Sequence, residues 1–177
     1  MAKKSFSDFV NEKKSPASQK FDPQEQIEEW RNLLDNLYTE VRTFLTPFIN
    51  EGSTELSFHP ITIREESLGS YQVESAVLRI GNIKYLFSPV GTMLIGSKGR
   101  VDIVGPKGTR SVALIKGTGP KITVTVTIGD ETPIRNPKPN SGQGELPWRW
   151  VILSAKPPYK FSEWNEENFQ ELIMDMA

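Results

Sequence analysis

Few residues in this chain of 177 residues could catalyse a reaction. The chain contains a single histidine, His59, and no cysteine. Without cysteine there can be no disulfide, no thiolate nucleophile and no zinc–cysteine site. A Ser-His-Asp triad could use only His59, and the sequence contains no G-x-S-x-G elbow that would accompany it. We therefore interpret His59, which precedes Pro60 at a predicted strand end, as a structural residue.

Carboxylate metal sites remain possible, since Glu65–Glu66 and Asp130–Glu131 are acidic pairs. Neither pair has ligand spacing such as D-x-D-x-D-G or E-x-x-H. Adjacent residues on a strand point to opposite faces of the sheet, so each pair would be a poor chelate. We predict no catalytic residues, no metal site and no cofactor, and we keep an enzyme with an unrecognised carboxylate site as an alternative.

The stretch GSKGRVDIVGPKGTR, residues 96–110, raises the question of a phosphate-binding loop. It matches neither G-x-x-x-x-G-K-[ST] nor G-x-G-x-x-G, and no helical pattern follows its glycines. GPKG instead fits a type I turn with Pro106 at the second position and Gly108 at the fourth. The stretch therefore predicts a turn, a strand and a turn, with Lys98 and Lys107 at opposite ends of a sheet.

The segment FDPQEQIEEW predicts the start of a long helix. Asp22 is a favourable N-cap, Pro23 suits the first helical position, and Glu25 completes a capping box. Pro47 predicts a kink or a stop. The apolar stripe that follows favours packing on a sheet, and a helix-mediated dimer is the alternative. The stripe consists of Ile27, Trp30, Leu34, Leu37, Val41, Phe44 and Phe48.

From residue 51 onward the apolar period changes to two, and turns recur about every 8 to 12 residues, as in an antiparallel meander. Gly81–Asn82 predicts a tight hairpin, and Pro89 to Gly91 predicts a further turn. TMLI (92–95) and KITVTVTI (121–128) each predict a strand. Near the C-terminus, Asn165 predicts the N-cap of a short helix, with Trp164 packing on Phe169.

These elements predict an α+β fold. It consists of an antiparallel meander of about eight short strands packed on the long N-terminal amphipathic helix, with a short C-terminal helix. A partly closed barrel around the helix is the variant. Residues 1–20 predict a flexible basic tail. Residues 21–177 predict a single domain that contains a proline- and glycine-rich loop at 130–147.

The meander also predicts where the basic side chains lie, because successive hairpin tips alternate between the two ends of the sheet. One end would then form a basic rim able to meet a polyanion or an acidic protein. Trp148 and Trp150 share a strand face and could stack on bases, although such pairs more often belong to the core. The predicted rim consists of Arg79, Lys84, Lys98, Arg100, Lys116 and Lys121.

These observations predict a non-catalytic protein-interaction module, namely a small adaptor, accessory subunit or inhibitor with a protein partner. Binding of nucleic acid or a phosphate-bearing ligand through the basic rim is the alternative, and it would weaken steeply with salt. The longest apolar runs are far shorter than a membrane span requires. We expect a cytoplasmic protein without a membrane partner, and a monomer rather than a helix-mediated dimer.

Overall fold

The computed structural model describes residues 22–92, 97–117, 147–156 and 160–177. They form the predicted α+β architecture, in which a long helix, α1, packs on one face of an open antiparallel sheet. A short helix, α2, follows the last strand and completes the core on the same face. The predicted tail at 1–20, the strand at 121–128 and most of the loop at 130–147 lie outside the described residues.

Helix α1 spans Pro23–Asn50 and starts as predicted, because the Asp22 side chain accepts a hydrogen bond from the Gln24 amide at 2.9 Å. Pro47 does not stop the helix, which corrects that part of the prediction. At this position only one carbonyl, that of Thr43, loses its intrahelical donor. The helix instead ends at Asn50 and is closed by a Schellman motif, in which Gly52 has a φ of 77° and its amide donates to the Ile49 carbonyl.

The apolar stripe of α1 is buried against the sheet of its own chain, as the sequence favoured over a helix-mediated dimer. Phe44 is partly buried near α2, and Phe48 is exposed. The stripe is therefore not available as the seam of a coiled coil. Its buried members are Ile27, Trp30, Leu34, Leu37 and Val41, and Tyr38 and Leu45 of the same helix are buried beside them.

The sheet is a meander in which each described strand pairs with the next one in sequence. Strands β1 and β7 form its two edges, so the described strands do not close into the barrel variant. The strands are β1 (Thr54–Glu65), β2 (Gly69–Ile80), β3 (Ile83–Gly91), β4 (Gly99–Gly105), β5 (Gly108–Lys116), β6 (Trp148–Leu153) and β7 (Phe161–Glu163).

Strand β3 differs from its prediction. Pro89 and Gly91 do not form a turn but continue β3, pairing with Val101 and Arg100 of β4 across a register shift. Gly91 has a φ of 147°, which glycine adopts readily. The predicted strand TMLI lies almost entirely outside the described residues, since only Thr92 is described.

Helix α2 spans Glu166–Asp175 and confirms its predicted start. The Asn165 side chain accepts a hydrogen bond from the Asn168 amide at 2.9 Å, and the rings of Trp164 and Phe169 pack 5.4 Å apart. The end of α2 reaches the sheet, because the Tyr85 hydroxyl donates to the Ile173 carbonyl. Helices α1 and α2 are thus held on the same sheet face.

Candidate functional site

The pairing register gives the sheet two distinct ends, and these ends decide which charges lie together. The β2–β3 turn at Gly81 and the β4–β5 turn at Lys107 lie at one end, here called the Gly81 end. The start of β4 and the last residue of β5 lie at the opposite end, here called the Gly99 end. As predicted, Lys98 and Lys107 lie at opposite ends.

The predicted basic rim is not a single row, which corrects the grouping derived from the sequence. Arg79 and Lys84 face each other across the β2–β3 hairpin at the Gly81 end. Lys98, Arg100 and Lys116 lie at the Gly99 end, about one strand length away. The grouping was wrong because Pro89 and Gly91 continue β3 instead of forming a turn. Each later hairpin turn therefore lies at the opposite end of the sheet from the predicted one. Lys121 lies outside the described residues.

At the Gly99 end the basic side chains contact other groups of the chain. Lys98 forms an ion pair with Glu29 of α1, and its ammonium lies 5.4 Å from the centre of the Trp148 ring. The Arg100 Nε lies 3.1 Å from Asp102 Oδ1, and the Ser111 hydroxyl donates to the same oxygen at 2.7 Å. These interactions stabilise the fold, and they leave less positive charge at the Gly99 end available to bind a polyanion.

The two predicted stacking tryptophans have different environments. Trp150 is 8% exposed and belongs to the core, where its ring centre lies 6.2 Å from that of Trp30. Trp148 is 40% exposed and is contacted by Lys98. The pair does not form a stacking platform, because only one of the two rings is accessible.

Glu65, a member of one predicted acidic pair, is held by hydrogen bonds. Its carboxylate accepts from the Tyr71 hydroxyl and from both the amide and the hydroxyl of Thr92. Its neighbour Glu66 is exposed. Among the described residues no group of three or more histidine or acidic side chains could hold a metal ion. Glu65 therefore joins the β1–β2 turn to the residue that follows β3.

His59 lies in the middle of β1 and is exposed, rather than at a strand end. Its Nε2 lies 3.4 Å from the Ser57 hydroxyl, a long contact between two side chains on the same strand face. Pro60 does not interrupt β1, which runs through it to Glu65. This is possible because β1 is an edge strand, where a proline can turn its nitrogen away from the ladder.

The outer edge of β1 is the most extensive unpaired backbone in the described part of the chain. Strand β1 has 12 residues, whereas the opposite edge strand, β7, has three. Among the described residues, β2 is the only strand that pairs with β1. In an antiparallel pair, every second residue directs its backbone groups to the same side of the strand. If Pro60 points its nitrogen away from β2, the residues two and four positions before it also direct their N–H and C=O groups toward solvent. These residues include Leu56 and Phe58.

A groove runs beside this edge, between α1 and the first two strands. It comprises two adjoining cavities of about 400 and about 230 Å³, which share Asp35 of α1 and Glu74 of β2. The floor of the larger cavity includes Phe58, whose ring centre lies 5.4 Å from that of Tyr38 and 5.3 Å from the Arg42 guanidinium carbon. The groove is thus aromatic at its base and charged along its rim.

The sequence did not lead to this groove, because the predicted site was based on charged side chains and not on the unpaired backbone of an edge strand. The first strand of a meander must be an edge strand, so the exposed edge could have been deduced from the strand order. The groove could not, because it depends on where α1 crosses the sheet. The Tyr38 hydroxyl fixes that crossing by donating to the Glu74 carbonyl at 2.9 Å, and Arg31 does so by donating to the Gln72 carbonyl.

Comparisons of the chain with protein-family models, with curated proteins and with solved structures each found no match. Neither described helix is long and apolar enough to cross a membrane. The functional interpretation therefore depends on the chemistry of the surfaces described above.

Proposed function

We propose that this protein is a non-catalytic protein-interaction module that binds an extended segment of a partner protein as an additional strand beside β1. The observation that supports this proposal is the 12-residue edge strand, which has no partner on its outer side among the described residues and borders a groove. Strand addition at an exposed sheet edge is a recurrent mode of peptide recognition.

The backbone of β1 selects the chemical class of the ligand. An edge strand presents alternating N–H and C=O groups, and another extended backbone satisfies both kinds of group at once. Pro60 lacks an N–H group, so it interrupts this ladder of donors. We therefore place the partner segment along residues 54–59, which include Phe58 at the base of the larger cavity. Pro60 would limit uncontrolled pairing along the rest of the edge.

The groove adds selectivity for side chains. Alternate residues of an added strand would point to the helix-covered face and enter the space between Phe58 and the flank of α1. The larger cavity, at about 400 Å³, can hold more than one side chain. Its aromatic base, formed by Tyr38 and Phe58, favours an apolar or cationic side chain of the partner.

The proposal is tested by selecting 12-residue peptides from a random displayed library against the full chain. We expect enrichment of peptides that lose affinity when alternate backbone amides are N-methylated, because each methyl group removes a donor to β1. Methylation of the intervening amides should have little effect. Failure to enrich any peptide, or equal sensitivity at both sets of amides, would contradict strand addition.

A pair of threonines on α1 provides a matched test on the protein. Thr39 lines the groove and Thr43 does not, although both are exposed and both donate to the carbonyl four residues earlier. Thr39→Trp should fill the groove and weaken the selected peptides at least tenfold, a loss of about 1.4 kcal/mol. Thr43→Trp should leave the affinity nearly unchanged.

The nucleic-acid alternative has less support from the geometry. The residues of its predicted rim are divided between two ends of the sheet, and Lys98 and Arg100 are already in ion pairs. A gel shift with single-stranded and duplex oligonucleotides at low and high salt tests this alternative. Binding at low salt that weakens steeply with added salt would favour it over a protein partner.

A further inference from the structure

The sheet face opposite α1, here called the outer face, has an apolar band near the Gly81 end. The register places Val77 of β2 beside Leu86 of β3, and Leu86 beside Val104 of β4. Leu86 and Val104 are 38% and 41% exposed, whereas Val77 is buried. Beyond Thr109, which pairs with Val104, Leu153 of β6 pairs with Phe161 of β7 on the same face, offset from Thr109 toward the Gly99 end. Farther toward the Gly99 end this face carries Ala113, Ile115 and Val151, which are buried. The outer-face band comprises Leu86, Val104, Leu153 and Phe161.

Basic side chains border this band on the side of the Gly81 end. All five are exposed, and none forms an ion pair with a residue in the described ranges. Two of them, Arg79 and Lys84, belonged to the predicted rim. The other three lie in the β4–β5 turn and the β6–β7 connection. This basic border consists of Arg79, Lys84, Lys107, Lys156 and Lys160.

We infer that the outer-face band and its basic border bind an acidic amphipathic helix of a partner protein. This site is distinct from the β1 edge, because it lies on a sheet face and recognises side chains rather than backbone. It goes beyond the proposed function and does not depend on it.

The dimensions of the band fit a helix lying across the strands. From Leu86 on β3 to Phe161 on β7 there are four strand intervals, or about 19 Å at the usual spacing. A helix covers that distance with about 13 residues. Its apolar side chains at steps of three and four residues are about 5 to 6 Å apart, close to the spacing of the strands beneath them. Leu86 and Val104 would therefore contact successive turns.

Charge determines which helix fits. Five cations border the band, whereas the acids on the same face are fewer: Glu55 lies beside Arg79, Glu163 lies on β7, and Asp102 is paired with Arg100. A helix with glutamate or aspartate along the flank that faces the Gly81 end would complement this border. Leu86 and Val104 are aliphatic and Phe161 is the one aromatic member of the band, so the band lacks the successive aromatic rings on which bases stack. This composition favours a protein ligand over nucleic acid.

The test uses a 20-residue helical peptide with leucine along one face and glutamate along both flanks. It is titrated into the full ¹⁵N-labelled protein, and amide shifts are followed. We expect saturable binding, with shifts concentrated at Leu86, Val104 and Phe161. A peptide with lysine replacing glutamate should not bind, and neither should a scrambled peptide of the original composition.

Charge-matched variants identify the contribution of the border. Lys84→Glu should weaken the acidic peptide about tenfold, since it replaces an attraction by a repulsion. Arg64→Glu makes the same change in net charge on an exposed residue at the other end of β1, and should have little effect. For the band itself, Leu86→Ser should weaken binding, whereas Met174→Ser, at an exposed apolar residue of α2, should not.

Several results would overturn the inference. They are the absence of saturable binding, shifts confined to β1, or equal losses from Lys84→Glu and Arg64→Glu. Tighter binding of an oligonucleotide or of vesicles containing anionic lipid at the same residues would assign the surface to a different ligand. Peptides selected for the β1 edge should not compete with the helical peptide, so failure of one proposal is distinguishable from failure of the other.

Discussion

At the scale of single residues, Glu65 has a structural role that its exposed neighbour Glu66 does not share. Its carboxylate accepts hydrogen bonds from the side chain of Tyr71 and from the amide and hydroxyl of Thr92. Glu65→Ala leaves these donors without an acceptor. We expect the free energy of unfolding, measured in urea, to fall by about 2 kcal/mol or more.

The adjacent acid is the matched control for this prediction. Glu66→Ala removes the same charge from an exposed side chain, and should change the free energy of unfolding by less than about 0.5 kcal/mol. Similar losses in the two variants would mean that the charge of the turn, rather than the hydrogen bonds of Glu65, determines stability there.

Gly99 permits close contact between β4 and α1. A Cβ atom at this position would lie 2.1 Å from Cζ3 of the buried Trp30 ring. We expect Gly99→Ala to lower the free energy of unfolding by about 1 to 3 kcal/mol through overpacking. In a Trp30→Leu background the same substitution should cost less, and a double-mutant cycle of urea unfolding measures the difference. Equal costs in both backgrounds would rule out the clash.

At the scale of elements, β1 should show a period of two in its amide exchange. If Pro60 turns its nitrogen outward, the amides of Leu56 and Phe58 face solvent, whereas those of Ser57 and His59 pair with β2. We expect fast hydrogen exchange at the first two amides and protection at the other two, measured residue by residue by NMR. Protection of all four amides would show that the outer edge is covered.

Helices were predictable from the sequence because their signals are local. Asp22 and Asn165 are caps whose partners lie two or three residues away, and both were found at those positions. The end of the sheet at which a residue lies is not set locally. One added or missing turn moves every later hairpin to the other end of the sheet. Pro89 and Gly91 can belong to a turn or to an irregular strand, and the sequence does not distinguish these cases.

That single uncertainty explains the error in the predicted basic rim. Arg79 and Lys84 lie before β3 ends, so they remained at the Gly81 end, while Lys98 and Arg100 changed ends. The pairing of Arg100 with Asp102 could have been inferred from their spacing, since residues two apart on a strand share a face. The ion pair of Lys98 with Glu29 could not, because it depends on how α1 crosses the sheet.

At the scale of the whole molecule, the two proposed binding surfaces lie on different parts of the sheet. The groove beside β1 is on the face that α1 covers, and the outer-face band is on the opposite face. Two ligands could therefore be bound at once, as an adaptor requires. The two peptides should bind with independent affinities.

The fold as a whole should be less stable in alkaline solution. Burial raises the pKa of Tyr38, Tyr71 and Tyr85. The nearby carboxylates of Glu74 and Asp35 raise the pKa of Tyr38 further, and the hydrogen bond to Glu65 does the same for Tyr71. Unfolded tyrosines lose their protons near pH 10, when the folded protein still retains them. The free energy of unfolding should therefore fall as the pH rises above about 10.

The measurement is the urea midpoint between pH 8 and pH 11. Each such tyrosine contributes a slope of up to about 1.4 kcal/mol per pH unit above pH 10. Tyr38→Phe removes one ionisable group and should make the decline shallower. An unchanged slope in this variant would show that Tyr38 does not contribute to the alkaline loss of stability.

The position of α1 before the sheet has a consequence for synthesis in the cell. The ribosome makes the apolar stripe of Trp30, Leu34 and Val41 before any of the strands that bury it. At about 5 to 20 residues per second, the strands up to β5 follow over several seconds. During that interval the stripe has no sheet to cover it. The nascent chain is then most exposed to aggregation and to capture by chaperones, although the finished fold buries the same residues.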